Sequence, residues 1–120
     1  TDPELCKELL QRILPELKIE HVDTTDVYVK DEKETVYDIE MQTTNTKELP
    51  KRSRYYQGMI DLQMIEKGEF YKPSYIIFLC PFDLFGRGRH KYTFRNLCKE
   101  DTILTLKDGT TKLFLNAKGK

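Results

Sequence analysis

What this chain lacks narrows its class first. Its three cysteines, Cys6, Cys80 and Cys98, are odd in number and far apart. With no CxxC pair there is no zinc-ribbon spacing and no disulfide framework, and reduced cytosolic thiols are the simplest account. There are only two histidines, His21 and His90, and neither sits in a recognisable catalytic or metal pair. No apolar run reaches membrane length, no signal peptide is present, and there are no repeats or low-complexity tracts. GxSxG, HExxH, P-loop and EF-hand patterns are all missing, so no nucleotide cofactor is called for. Net charge is also absent: 20 basic residues balance 20 acidic ones. Any preference for nucleic acid must therefore lie in how charge is distributed.

The chain has 120 residues, the size of one domain with a real core. Asp2-Pro3 reads as a helix start, followed by a stripe of Leu5, Leu9, Leu10, Ile13 and Leu14 that Pro15 ends. Residues 18–22 read as a short strand or connector. Val27 and Val29 then alternate with Asp26, Tyr28 and Lys30, and Tyr37, Ile39 and Met41 alternate with Val36, Asp38, Glu40 and Gln42. Period-two alternation on both sides of a short polar stretch predicts a half-buried hairpin. A three-residue loop at 32–34 makes paired residue numbers sum to 66. Tyr28 then faces Asp38, and Asp26 faces Glu40. Opposed Cβ atoms lie about 4.5–5.5 Å apart, and like charges so placed are destabilising. One account is a cation between the carboxylates, with Mg²⁺ the natural choice because it takes oxygen ligands at about 2.0–2.1 Å. The other is that Asp26, Asp38 and Glu40 form a solvated face.

A helix is predicted from near Glu48 or Pro50 to about Lys67, with Gly68 as its stop and Tyr56, Met59, Ile60 and Met64 among its apolar positions. Lys47, Lys51, Arg52 and Arg54 crowd its start, where cations oppose the helix dipole. Either they serve a phosphate there, with Tyr55 and Tyr56 as aromatic surface, or they are a solvated helix end. Ser74-Tyr75-Ile76-Ile77-Phe78-Leu79-Cys80 reads as a central strand covered on both faces, with Cys80 in the core. The Gly86-Arg87-Gly88-Arg89-His90 segment is either a phosphate contact or an exposed flexible loop; no helix follows it, so it is not a nucleotide-binding motif. Tyr92, Phe94 and Leu97 suggest a further strand. Ile103, Leu104 and Leu106, then Asp108-Gly109, then Leu113 and Phe114 suggest a second hairpin.

These stretches together resemble a known family. Asp26-Val27-Tyr28-Val29-Lys30-Asp31, Tyr37-Asp38-Ile39-Glu40-Met41-Gln42, Lys51-Arg52-Ser53-Arg54-Tyr55-Tyr56, the strand at 75–80, Tyr92-Thr93-Phe94 and Phe114-Leu115-Asn116 are similar to the PD-(D/E)XK nuclease superfamily. More narrowly, they resemble its bacterial transposase-like branch, also called recombination-promoting nucleases. The resemblance covers nearly the whole chain. It implies an α/β (α+β) fold with a restriction-endonuclease-like αβββαβ core, a mixed central sheet flanked by helices, and a single domain over 1–120 that lacks the family's C-terminal helices. It implies Mg²⁺-dependent cleavage of DNA phosphodiesters in transposition or recombination, with Mn²⁺ as a substitute ion, in the bacterial cytoplasm. Asp26 and Glu40 then take the places of the motif's acids, with the Met41 carbonyl as a further metal ligand. Gln42 stands where the superfamily usually has Lys, as it does in this branch. Lys51, Arg52, Arg54 and Tyr55 would contact DNA, and Glu8 could match a helix-borne acid. Cutting both strands would favour a homodimer. The alternative is a nuclease-fold module that binds DNA or a protein without cutting; weaker still is a protein-interaction domain whose acidic face holds no metal.

Overall fold

The architecture is that of a computed structural model. It describes residues 35–42, 44–45 and 47–117 in full, and the backbone of 19–22 and 28–31. The expected N-terminal helix, with Glu8 and Cys6, lies outside these residues, as does Asp26.

Six strands form one mixed sheet in the order β1-β2-β3-β4-β8-β5. They are β1 (Ile19–Val22), β2 (Tyr28–Asp31), β3 (Val36–Met41), β4 (Ser74–Cys80), β5 (Lys91–Phe94) and β8 (Thr110–Asn116). The strands β6 (Leu97–Cys98) and β7 (Asp101–Thr105) pair separately as a small second sheet. One helix is described, α1 (Leu49–Glu66), which carries the chain from β3 to β4. This α+β arrangement agrees with a restriction-endonuclease-like core.

Strand β4 is apolar throughout and central in the sheet. Ile76, Ile77 and Phe78 have no solvent exposure at all. It runs parallel to β3 on one side and to β8 on the other, and parallel neighbours require crossover connections that cover the sheet faces. Helix α1 provides that cover. Its Leu49, Ile60 and Met64 pack with Val36, Ile76, Phe78, Cys80 and Phe114. The opposite face carries the stacked rings of Tyr37 and Tyr75, with centroids 5.2 Å apart.

The hairpin register is as its parity predicts: Tyr28 pairs with Asp38, Val29 with Tyr37 and Lys30 with Val36. The helix ends as expected too. Gly68 takes φ +73, its N–H donates to the Ile65 carbonyl, and the Glu69 N–H donates to the Met64 carbonyl. That pair of bonds is the glycine-closed C-terminal motif that satisfies otherwise orphaned carbonyls.

Three expectations need correction. Met59 is not a core position: it is 52% exposed, and the buried stripe runs through Leu49, Ser53, Ile60 and Met64. The second hairpin does not form. β7 pairs with β6, while β8 inserts between β4 and β5. At Asp108 the side chain accepts from the Thr110 N–H and hydroxyl and from Asn96, and the Gly109 carbonyl accepts from Ser74 N–H. These bonds tie the turn to the start of β4 rather than folding it back on β7. The strand around Tyr92 stops at Phe94, and Leu97 belongs to β6.

These burials predict a contrast. Ile60→Ala should lower unfolding free energy by about 2–5 kcal/mol in urea denaturation. Met59→Ala should cost less than about 1 kcal/mol, and equal losses would contradict the helix orientation.

Candidate active site

Strand β3 is the candidate for the site because two of its neighbouring same-face residues are acids. Asp38 sits opposite Ile76 of β4, and Glu40 sits opposite Phe78. Alternation along the strand aims both carboxyls to the face that α1 covers. Asp38 is only 4% exposed and Val36 only 3%. Asp38 is therefore not part of a solvated face, and Glu40 is half-buried; Asp26, the third acid of that reading, lies outside the described residues. Of the residues expected in the site, Glu40, Met41 and Gln42 lie consecutively at the carboxyl end of β3. Glu40 and Gln42 are half-buried and the Met41 side chain is 70% exposed. The Gln42 N–H donates to the Leu79 carbonyl at 3.0 Å, which extends the ladder past the last strand residue.

The two acids are strongly coupled. Burial, then the adjacent Glu40 charge and a hydrogen bond with Glu40, raise the Asp38 pKa to about 7. Burial also raises Glu40, opposed by the hydrogen bond from Asp38 and by the charge of Arg52. A hydrogen bond joins the pair, and Asp38, which keeps its proton up to about pH 7, is its donor. Two like charges this close cannot both ionise cheaply.

Helix α1 supplies the countercharge. Arg52 is half-buried, its Nη2 donates to the Tyr56 hydroxyl at 2.6 Å, and its guanidinium lies 5.6 Å from the centre of that ring. Tyr56 in turn packs on Phe78, beneath Glu40's strand neighbour, with centroids 5.9 Å apart. Arg52 thus belongs to the carboxylate site as well as to the basic helix end. Lys51, Arg54 and Tyr55 are exposed; the Arg54 Nη2 donates to the Tyr55 hydroxyl at 3.3 Å. Sequence reasoning left Asp38 and Tyr56 out of the site. Parity had placed Asp38 on the same face as Glu40, but nothing local showed that the face was covered.

The donor set suits a hard divalent cation. The converging atoms are carboxylate oxygens; burial raises both pKa values, with the Glu40 charge adding to the rise at Asp38, and a cation would favour the ionised forms. Among the described residues no group of three His, Cys, Asp or Glu side chains converges. Asp26, expected as the partner acid, lies outside them.

The coupled pair predicts a pH dependence of stability in metal-free protein. A carboxyl whose folded pKa is raised contributes stability that is complete below the unfolded value near 3.9 and is lost as pH rises to about 7. Asp38→Asn keeps a donor to Glu40 and removes the titration. In EDTA its melting temperature should exceed the wild-type value at pH 8 by about 5 °C or more, and the difference should vanish toward pH 4. Parallel curves for the two proteins would contradict the buried pair.

Comparison with known proteins places this geometry. A family model described as PD-(D/E)XK nuclease family transposase matches residues 8–117, a span that includes Asp26, the acidic strand, the basic helix and β8. No curated protein and no solved structure matches the chain. Members of PD-(D/E)XK families generally use divalent metal ions, in keeping with the oxygen donors on β3. No described helix is long and apolar enough to cross a membrane. The chain belongs to the PD-(D/E)XK nuclease family transposases.

Proposed function

We propose that this chain is a Mg²⁺-dependent DNA endonuclease acting in transposition or recombination. One observation carries the reading: an ionisable Glu40 ends a buried strand beside a second acid and beneath Arg52, in a chain of a nuclease family. Such an arrangement costs stability and has an evident use only where a cation and a phosphate meet. The sequence reading pairs Asp26 with Glu40, and these two acids and the Met41 carbonyl are the proposed metal ligands. Glu8 is held as an additional acid. A divalent ion there supplies Lewis-acid polarisation of the phosphate and acidifies water.

The chain's own residues divide the remaining work. Gln42 orients the attacking water by hydrogen bonding; an amide neither takes the proton nor carries positive charge. Arg52 faces the phosphate from the helix, and Lys51, Arg54 and Tyr55 hold the DNA backbone, contacts that fix position without reading sequence. In this reading residues 1–120 form one cytoplasmic bacterial domain, and cutting both strands would favour a homodimer. Gln42 in place of Lys also supports a second reading, a nuclease-fold module that binds DNA or a protein partner and cuts weakly or not at all.

Nicking of supercoiled plasmid separates the two. Purified protein should nick with Mg²⁺ or Mn²⁺, and EDTA should stop it. Asp26→Ala and Glu40→Ala should each reduce nicking to background. A folded protein that neither nicks nor gains melting temperature with Mg²⁺ would refute the metal site and leave the binding module.

A further inference from the structure

A second basic segment stands at the same end and on the same face of the sheet as Glu40. The connection 81–90 leaves β4 at Cys80, and the chain re-enters the sheet at Lys91, opposite Leu115 of β8. It therefore caps the carboxyl ends of the parallel strands, where Glu40 and Gln42 lie. Its Phe82, Leu84 and Phe85 pack against the core cluster that α1 covers, so the connection shares the carboxylates' face. At about 4.8 Å per strand, β3 and β5 are roughly 14 Å apart. That distance corresponds to about four base pairs of duplex at 3.4 Å each.

This segment is built rather than loose. The Asp83 carboxylate accepts from Gly86 N–H at 3.0 Å, Gly88 N–H at 2.7 Å and the Tyr92 hydroxyl at 2.8 Å. The Tyr92 oxygen accepts in turn from Arg87 N–H at 3.1 Å and Arg89 N–H at 3.2 Å. Asn116 holds the far end through the carbonyls of Arg89 and His90. Gly86 and Gly88 take φ +69 and +71, and their alternate amides turn inward to Asp83. Desolvation pushes the Asp83 carboxyl upward, but its donors outweigh that and hold it below the ordinary Asp range.

With the backbone amides turned inward, the loop has no amide cradle for a phosphate, and its arginines face outward. Arg87 and Arg89 are exposed, and among the described residues neither guanidinium has a hydrogen-bond or ion-pair partner. Five hydrogen bonds thus fix a short turn whose outward product is two unpaired cations. We infer that Arg87 and Arg89 form a preorganised clamp for the DNA phosphate backbone, across the carboxyl end of the sheet from the basic start of α1. Asp83 is its positioning residue. The inference rests on the reading of this chain as a DNA-acting module, and its test is a binding measurement in EDTA that needs no cleavage.

The probe is a fluorescent duplex of mixed sequence titrated at several salt concentrations. Each phosphate neutralised contributes about 0.9 to the slope of log K against log salt. Arg87→Ala/Arg89→Ala should lower that slope by about 2 and weaken low-salt binding roughly tenfold or more, with an unchanged melting temperature. Asp83→Asn removes a negative charge, so general electrostatics alone would tighten binding. If the turn must be preorganised, this variant binds more weakly while keeping most of the wild-type slope. An unchanged slope in the double arginine variant, or no duplex binding by wild type, would overturn the clamp. Tighter or equal binding by a folded Asp83→Asn would overturn the role of Asp83. Normal arginine effects in a protein that never nicks plasmid would leave the clamp standing and refute the nuclease reading alone.

Discussion

Strand β4 has no solvent at its middle on either face, and its neighbours follow from that constraint. Ile76 and Phe78 require a cover on one side and Ile77 on the other. Parallel pairing with β3 meets part of the requirement, because the chain must cross over the sheet to return in the same direction. The crossover is α1, and its N-terminal part holds Arg52 near Glu40 and Tyr56 against Phe78. β8 adds the second parallel neighbour and contributes Phe114, stacked on Phe78 at 4.9 Å. A strand that needs burial on both faces therefore gathers the acidic strand, the basic helix and the carboxyl-end connection around itself.

Within that frame the acid pair is a deliberate weakness. Asp38 and Glu40 occupy positions where apolar side chains would extend the contacts of Val36 along the same face. Burying like-charged groups side by side opposes folding, and replacing buried charge with well-packed apolar groups is often stabilising. The partial remedies are visible: a hydrogen bond joins the pair, and Arg52 offsets the remaining charge. Neither remedy removes the desolvation that dominates both shifts. Strain of this kind concentrates where function requires it, and here it coincides with the family's acidic motif.

Much of the frame was legible in the sequence because its signals are local. The hairpin register follows from parity and loop length, and the structure repeats the pairing sum of 66 at Tyr28, Val29 and Lys30. Helix α1 is bounded by Pro50 and Gly68, and β4 reads directly from its unbroken apolar run. What was not legible depends on packing between distant segments. Alternation marks Asp38 as polar-facing but does not reveal that α1 will lie over it. Asp108-Gly109 has hairpin chemistry, yet β8 gains more by pairing with β4 and β5 than β7 could offer it. Met59 and Ile60 are equally apolar neighbours, and only the helix's rotation against the sheet separates them. Arg52 reads from sequence as one of several basic residues; its contact with Tyr56 and its nearness to Glu40 distinguish it.

The two basic segments are joined by rings rather than by ion pairs. Tyr56 packs on Phe78, Phe78 stacks on Phe114, and Phe114 meets Phe85 edge-on at 5.1 Å. Phe85 then contacts Tyr92 at 4.9 Å, and Tyr92 anchors the turn that carries Arg87 and Arg89. Salt screens exposed charges but leaves buried ring contacts largely untouched. The spacing between the helix cations and the loop cations is thereby insulated from ionic strength, even though their proposed contacts with phosphate would not be. In the proposed reading, an aromatic spine beneath exposed charge would let DNA leave as salt rises while the geometry that receives it is kept. The same spine ties the loop's position to that of Phe78, the strand neighbour of Glu40, so disturbance of the core would misplace the loop cations and the acid together.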